Sequence, residues 1–155
     1  MKNSQKQENL PNGFLCSGII AGLKENTDRK DLGLIYSEKE AVLGAVYTQN
    51  KFPSAHVQYC RQLTPTDRFR AIIVNSGNAN AATGQQGQAD NLRMASQVAE
   101  KLNINQNQVL TSSTGIIGRP FPINKIEGSL DLLVEALGNS PAAFSEAIMT
   151  TDLTS

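Results

Sequence analysis

Two stretches of this chain end an apolar run in a burst of small polar residues. Ala71-Ile72-Ile73-Val74 leads into Asn75-Ser76-Gly77-Asn78-Ala79-Asn80-Ala81-Ala82-Thr83-Gly84, and Val109-Leu110 leads into Thr111-Ser112-Ser113-Thr114-Gly115-Ile116-Ile117-Gly118. A strand that ends this way has stopped building core. It offers backbone N–H groups and short dipoles at a strand end, where many α/β proteins place their chemistry. At Gly115 the missing Cβ lets the main chain approach a ligand closely or take a positive φ. A backbone N–H beside the Thr114 hydroxyl puts two donors near one point, which suits the oxyanion of an acyl transfer. Losing one such donor costs about 3–4 kcal/mol of barrier. An ordinary strand-to-loop turn would use the same residues, and spacing alone does not choose.

The other polar clusters carry the same double reading. Asn75, Asn78 and Asn80 fit an amide-lined site wall, or a tight self-bonded loop, because Asn and Gly tolerate left-handed backbone. Thr83-Gly84 opens a helix whose N-terminus attracts anions, but the P-loop Lys is absent. Thr150-Thr151-Asp152 offers two hydroxyls and a carboxylate to a substrate amine or amide, or to a helix end. His56 follows Ser54-Ala55 with no acid pattern nearby and reads as a packing or surface histidine. No His/Cys/Asp set has zinc spacing, and no carboxylate pair has the spacing of a glycosidase.

The elements that must position these groups follow from periodicity. Leu32–Tyr36 and Ala41–Tyr47 read as strands joined at the polar turn 37–40, hence a hairpin. Val57–Arg61 is a short strand or a helical turn. Ala71–Val74 is a buried strand. Thr83 with Gln86 has the capping-box pattern, and Ala89, Leu92, Ala95, Ala99 and Leu102 form one helical face ending near Asn103. Val109–Ser113 is the next strand. Pro122 begins a helix with the stripe Ile123, Ile126, Leu130, Leu133, Val134 and Leu137, and Gly138 stands at its C′ position. Ser140-Pro141 starts a last helix with Phe144, Ala147 and Ile148 inward. The fold class is α/β, a mixed sheet with packed helices.

Composition narrows the classes. The 155 residues suffice for one domain. Only 5% are aromatic and none is Trp, so the core is aliphatic. The 14 basic and 14 acidic residues cancel, which argues against a nucleic-acid binder. No apolar run approaches the roughly 20 residues of a membrane span. The polar start lacks a signal-peptide core and reads as a flexible tail over residues 1–12, before a domain over 13–155. These features imply a cytoplasmic protein. Cys16 and Cys60 read as reduced, half-buried packing residues.

With those residues on the page, the chain resembles the N-terminal part of the ornithine acetyltransferase family, the bifunctional glutamate N-acetyltransferases of arginine biosynthesis. The resemblance runs from Gly13 to about Asp152. It rests on Gly13-Phe14, Gly18, Ala21-Gly22-Leu23-Lys24, Arg29-Lys30-Asp31-Leu32-Gly33-Leu34-Ile35, Tyr47-Thr48-Gln49-Asn50, the two polar loops, and Ala147-Ile148-Met149-Thr150-Thr151-Asp152. It implies the N-terminal domain of that self-cleaving fold, with acetyl transfer from N-acetylornithine to glutamate by a ping-pong route. Some members use acetyl-CoA as donor, and no bound cofactor is implied. The precursor cuts itself before a Thr that becomes the nucleophile of a second chain, and two copies of each chain assemble. The resemblance makes Thr114 and Gly115 the oxyanion hole and Thr150 a substrate contact, with Asn75, Asn78, Asn80 and Thr151 as further site wall. The family's Lys-Gly-rich segment and Met-Ala-Thr cleavage site have no counterpart before Ser155. The expectation is therefore a truncated α-type segment, half a site that is inactive without its partner chain. An amidase or aminopeptidase of the related self-cleaving type, and a non-catalytic anion- or metabolite-binding remnant, remain as the other readings.

Overall fold

A computed structural model describes residues 9–25 and 28–150. Four strands form one sheet in the order β1-β2-β3-β4: β1 (Phe14–Ile19), β2 (Leu32–Leu43), β3 (Thr66–Asn75) and β4 (Val109–Ser113). The first two pairings are antiparallel and β3–β4 is parallel, with Ala71 opposite Val109 and Asn75 opposite Ser113. The sheet is mixed and helices pack on it, as the α/β pattern implied.

The parallel pair requires a crossover. Helix α2 (Gly84–Leu102) supplies it, after α1 (Ala55–Leu63) and before α3 (Ile123–Glu127), α4 (Leu130–Glu135) and α5 (Ala142–Ile148). The core joins Leu32, Leu34, Ala71 and Ile73 of the sheet to Met94, Val98, Ile126, Leu130 and Leu133 of the helices. Helix α5 covers the opposite face. Adjacent strand residues point to opposite sides: Ser17 donates to Leu133 O of α4 at 2.6 Å, while its neighbour Gly18 lies against the main chain of Ala143 in α5. Gly18 pairs with Gly33, and a Cβ on Gly33 would stand 2.8 Å from the Phe144 ring. Both glycines clear space for α5, which carries the chain to Thr150.

Several sequence expectations change. No hairpin forms over 32–47: β2 runs unbroken from Leu32 to Leu43, with register shifts between Tyr36 and Leu43. Ser37 closes on Lys39 O at 2.6 Å and Arg70 donates to Ser37 O at 2.7 Å, so the polar stretch bends the strand and does not reverse it. Residues 44–50 then have no regular secondary structure, with Tyr47 tied to Thr64 and Val46 exposed. Strand β1 was not anticipated, because Cys16, Ser17 and Gly18 blur the alternation of a strand. Residues 55–63 form a helix.

Thr83 is the N-cap of α2, but the capping box is not made. Its hydroxyl donates to Asn80 Oδ1 at 2.6 Å and Gln86 turns to Asp90. The buried face of α2 is Gly87, Asp90, Asn91, Met94, Ala95, Val98 and Ala99; Ala89 and Leu92 are exposed. The face is rotated because buried polar partners claim Asn91: Thr111 Oγ1 donates to Asn91 Oδ1 at 2.9 Å. The stripe after Pro122 divides into α3 and α4. Gly138 is not a helix end, since it exchanges backbone hydrogen bonds with Cys16 and extends the β1 edge. Ile148 is exposed, although Ala147 is fully buried.

Residues 1–8 of the expected tail lie outside the described residues. Within 9–12, Leu10 N–H donates to Asn139 O at 2.9 Å. The other sheet edge, β4, meets α1: Tyr59 donates to Val109 O and the Cys60 thiol to Thr111 O at 3.3 Å. Both cysteines are free and buried, more deeply than expected, and burial raises both thiol pKa values. Their thiolate forms are correspondingly disfavoured.

Candidate active site

Because β3 and β4 are parallel and in register, their C-terminal ends release both polar loops on the same side of the sheet. The ladder continues past the strands. Thr114 N–H donates to Asn75 O at 3.0 Å, Ile116 N–H to Gly77 O at 3.2 Å and Ala79 N–H to Ile116 O at 2.9 Å. Gly115 sits inside this run with φ +128°. A Cβ there would stand 2.6 Å from Gly77 O and 2.7 Å from Asn78 N, so the two loops touch main chain to main chain and no other residue fits. The Gly115 N–H makes no hydrogen bond with the described residues, and Gly115 is exposed.

That unspent donor borders a cavity of about 1000 Å3. Thr114, Gly115, Gly77 and Asn78 line one side, Leu23 to Glu25 another, and Arg119, Pro120 and Lys125 the far rim; Thr150 closes the end. Thr150 arrives there because α5 is tied to the loop: Ser76 Oγ donates to Ala147 O at 2.5 Å, and Lys30 bridges to Glu146 at 2.8 Å.

The rim is biased toward cations. Arg119 pairs with Glu25 at 2.8 Å, but the Lys24 ammonium donates to Lys30 O at 2.8 Å and the Lys125 ammonium to Gly22 O at 2.6 Å. Carbonyl partners satisfy hydrogen bonds without cancelling charge. Burial, and next Arg29, lower the Lys24 pKa, while Asp31 and Glu146 act the other way. The rim therefore favours ligands carrying carboxylates.

Of the residues singled out from sequence, Thr114, Gly115, Asn78 and Thr150 meet at this cavity. Asn75 and Asn80 do not line it. Both are fully buried. Asn75 Nδ2 donates to Asn78 O at 2.8 Å, and Asn80 Nδ2 donates to Gly87 O at 2.8 Å while its N–H donates to Ser113 Oγ. Their amides shape the loop from within. Thr151 lies outside the described residues. His56 is remote from the cavity lining; Ser54 Oγ is 3.2 Å from its Nε2, and burial lowers its pKa. Among the described residues no group of three His, Cys, Asp or Glu is placed to hold a metal, and no helix is long and apolar enough to cross a membrane.

Sequence reasoning missed the wall from Leu23 to Glu25 and the residue that holds it, Asp31. The signal was faint: a single acidic residue directly before the apolar run Leu32–Ile35.

This fold, a mixed sheet with packed helices, is shared with solved ornithine acetyltransferases. The ornithine acetyltransferase of Mycobacterium tuberculosis, solved with ornithine, matches 93% of this chain and 79% of its own at 35% identity, with a TM-score of 0.88. The arginine biosynthesis bifunctional protein ArgJ of Bacillus halodurans matches 95% of this chain and 81% of its own at 35% identity, with a TM-score of 0.83. The ArgJ family model spans residues 15–155, and the chain belongs to the ArgJ family. The arginine biosynthesis bifunctional protein ArgJ of Listeria monocytogenes is 47% identical over 143 residues, and that of Caldanaerobacter subterraneus 44% identical over 146. Both alignments take in 92% of this chain but 35% of the relative, so the chain spans about a third of these curated relatives.

Proposed function

We propose that this chain is the N-terminal, oxyanion-holding part of an enzyme that moves an acetyl group from N-acetylornithine to glutamate. One observation carries the reading: a main-chain N–H, at Gly115, without a partner among the described residues and held by glycine-to-backbone contact at the edge of a cavity that Thr114 and Thr150 also line. Rigid donors aimed before the reaction cost no reorganisation when charge develops.

In this reading a Thr hydroxyl from the remaining two thirds of the enzyme attacks the acetyl carbonyl carbon. The carbonyl electrons move onto oxygen, which accepts from Gly115 N–H and the Thr114 hydroxyl. Collapse breaks the C–N bond, the ornithine amine leaves with a proton, and an acetyl ester stays on the Thr. The glutamate amine then attacks that ester in the reverse sense. Thr150 contacts the substrate, Asn78 forms wall, and the Lys24–Lys125 rim draws the carboxylates that both amino acids carry. Asn75 and Asn80 support the loop. Thr151, the next residue in sequence, is assigned a substrate contact alongside Thr150.

Residues 13–155 then act as one domain, completed by a second chain that self-cleavage of the precursor creates. Chain lengths support this: the chain covers four fifths of the solved ornithine acetyltransferase but about a third of the curated proteins, as expected if the solved chain is one product of a cut. We extend the proposal to acetyl-CoA as an alternative acetyl donor and to the cytoplasm as the compartment.

The test uses the protein carrying this segment together with the family's remaining two thirds. It should transfer acetyl from N-acetylornithine to glutamate, while residues 1–155 expressed alone should not. Release of free acetate at the transfer rate, with no N-acetylglutamate formed, would overturn the reading in favour of an amidase.

A further inference from the structure

We infer that Asp31, which lies outside the cavity, is a positioning residue for the Gly115 donor. Its carboxylate is fully buried and accepts three backbone N–H groups from one short loop: Ala21 at 2.6 Å on Oδ1, with Leu23 at 2.6 Å and Lys24 at 3.0 Å on Oδ2. Its main chain is equally engaged. Asp31 N–H donates to Ile19 O at 2.9 Å, and Asp31 O accepts from Ser76 N–H at 2.8 Å. One residue thus joins the end of β1, the wall loop and the loop that follows β3.

A buried carboxylate persists only when its lone pairs are met, and charge-assisted bonds are about twice as strong as neutral ones. The loop it holds, Ala21-Gly22-Leu23-Lys24, supplies cavity wall at Leu23 and Lys24. That wall lies directly on Gly77. A Cβ on Gly77 would stand 2.8 Å from Lys24 Cγ and 3.0 Å from Leu23 O. Gly77 in turn lies directly on Gly115, whose Cβ would stand 2.6 Å from Gly77 O. The order from Asp31 outward is therefore the Leu23–Lys24 backbone, Gly77, then Gly115, with no side chain of either glycine to absorb a displacement. Close-packed layers pass such a displacement on. Asp31 acts through these contacts and touches no reacting atom.

The kinetic consequence rests on the acyl-transfer reading; the structural consequence does not. In the full-length protein, Asp31→Asn keeps the shape but withdraws acceptors from the loop. Amide hydrogen exchange should rise about ten-fold at residues 21–24 and also at Ile116, whose N–H is held by Gly77, with Leu34 and Ile73 unchanged. The same variant should lose about 100-fold in kcat with KM within about three-fold, as expected for a donor moved by a fraction of an ångström. Gly77→Ala wedges the same contact from the other side with the Asp31 bonds intact. It should raise exchange at Ile116 and lower kcat while residues 21–24, still held by Asp31, stay protected; unchanged exchange at Ile116 would overturn the inference if Asp31→Asn does not fold. Faster exchange confined to 21–24 with wild-type kcat, or a rise spread evenly over the sheet, would overturn the inference. If the wild-type protein transfers no acetyl group, the acyl-transfer reading falls and the exchange at Ile116 alone decides the role of Asp31.

Discussion

The two polar loops that follow β3 and β4 begin with nearly the same vocabulary and end with opposite uses. In residues 75–84 the amides turn inward. Asn75 donates to Asn78 O, and Asn80 donates to Ser113 Oγ and Gly87 O and accepts from Thr83, so the amide nitrogens are spent inside the loop, while Asn75 Oδ1 stays buried without a partner among the described residues. In residues 113–118 the backbone N–H of Thr114 and Ile116 are consumed by the first loop, and the N–H between them, at Gly115, is left over. The self-bonded loop is the rigid bed on which the other loop presents an unspent donor. A polar loop is therefore marked as a site less by its polar content than by which donors remain after its neighbours have taken theirs.

The contrast is sharpest at Thr114 and Gly115. In the full-length protein, Thr114→Ala should lower kcat for acetyl transfer about 100- to 1000-fold with little change in KM, measured by steady-state kinetics. A wild-type kcat would remove the Thr114 hydroxyl from the reaction and leave the Gly115 N–H as the loop's one donor. Next in size, Asn80→Ala should cost about 1–3 kcal/mol in urea unfolding, because Gly87 O, Thr83 and their surroundings lose a buried partner. The residual folded enzyme should keep kcat within about two-fold of wild type. A large kcat loss without lost stability would erase the division of labour between the loops.

The smallest effect lies outside the cavity lining, at His56. Burial holds its folded pKa below the ordinary 6.5, so the unfolded chain binds the proton more readily than the folded one. Its contribution is therefore fully present above about pH 6.5 and declines as pH falls from there toward the folded pKa. His56→Gln should flatten that part of the stability curve in thermal melts from pH 7 to 5, while the pH dependence of acetyl transfer stays the same. A shifted activity profile would give His56 a role in the reaction.

Much of the architecture was legible from local signals. Val109–Ser113 was read at its observed bounds, the Pro122 and Ser140-Pro141 starts each open a helix, and α2 ends where Asn103 takes a left-handed conformation. These features depend on residues within a turn or two of each other. The β2 hairpin failed for the complementary reason. Ser37 to Glu40 resembles a turn in isolation, but Arg70 on the neighbouring strand bonds Ser37 O, and Glu38 donates its N–H to Gly13 O. The apolar face of α2 holds at Ala95, Ala99 and Leu102 but not at Ala89 and Leu92, where Asn91 is drawn inward by Thr111, twenty residues away.

The site divides along the same line. Composition and order put Thr114-Gly115 forward as candidate donors, without choosing between a site and an ordinary turn, and showed that a strand stops just before them. Folding alone decided that Gly77 would press on Gly115, that Asn75 and Asn80 would be spent inside their own loop, and that Asp31 would grip the wall from behind. Those outcomes depend on which of several equally polar groups meets a partner distant in the chain, and hydrogen-bond partners are assigned by three-dimensional packing, not by residue type.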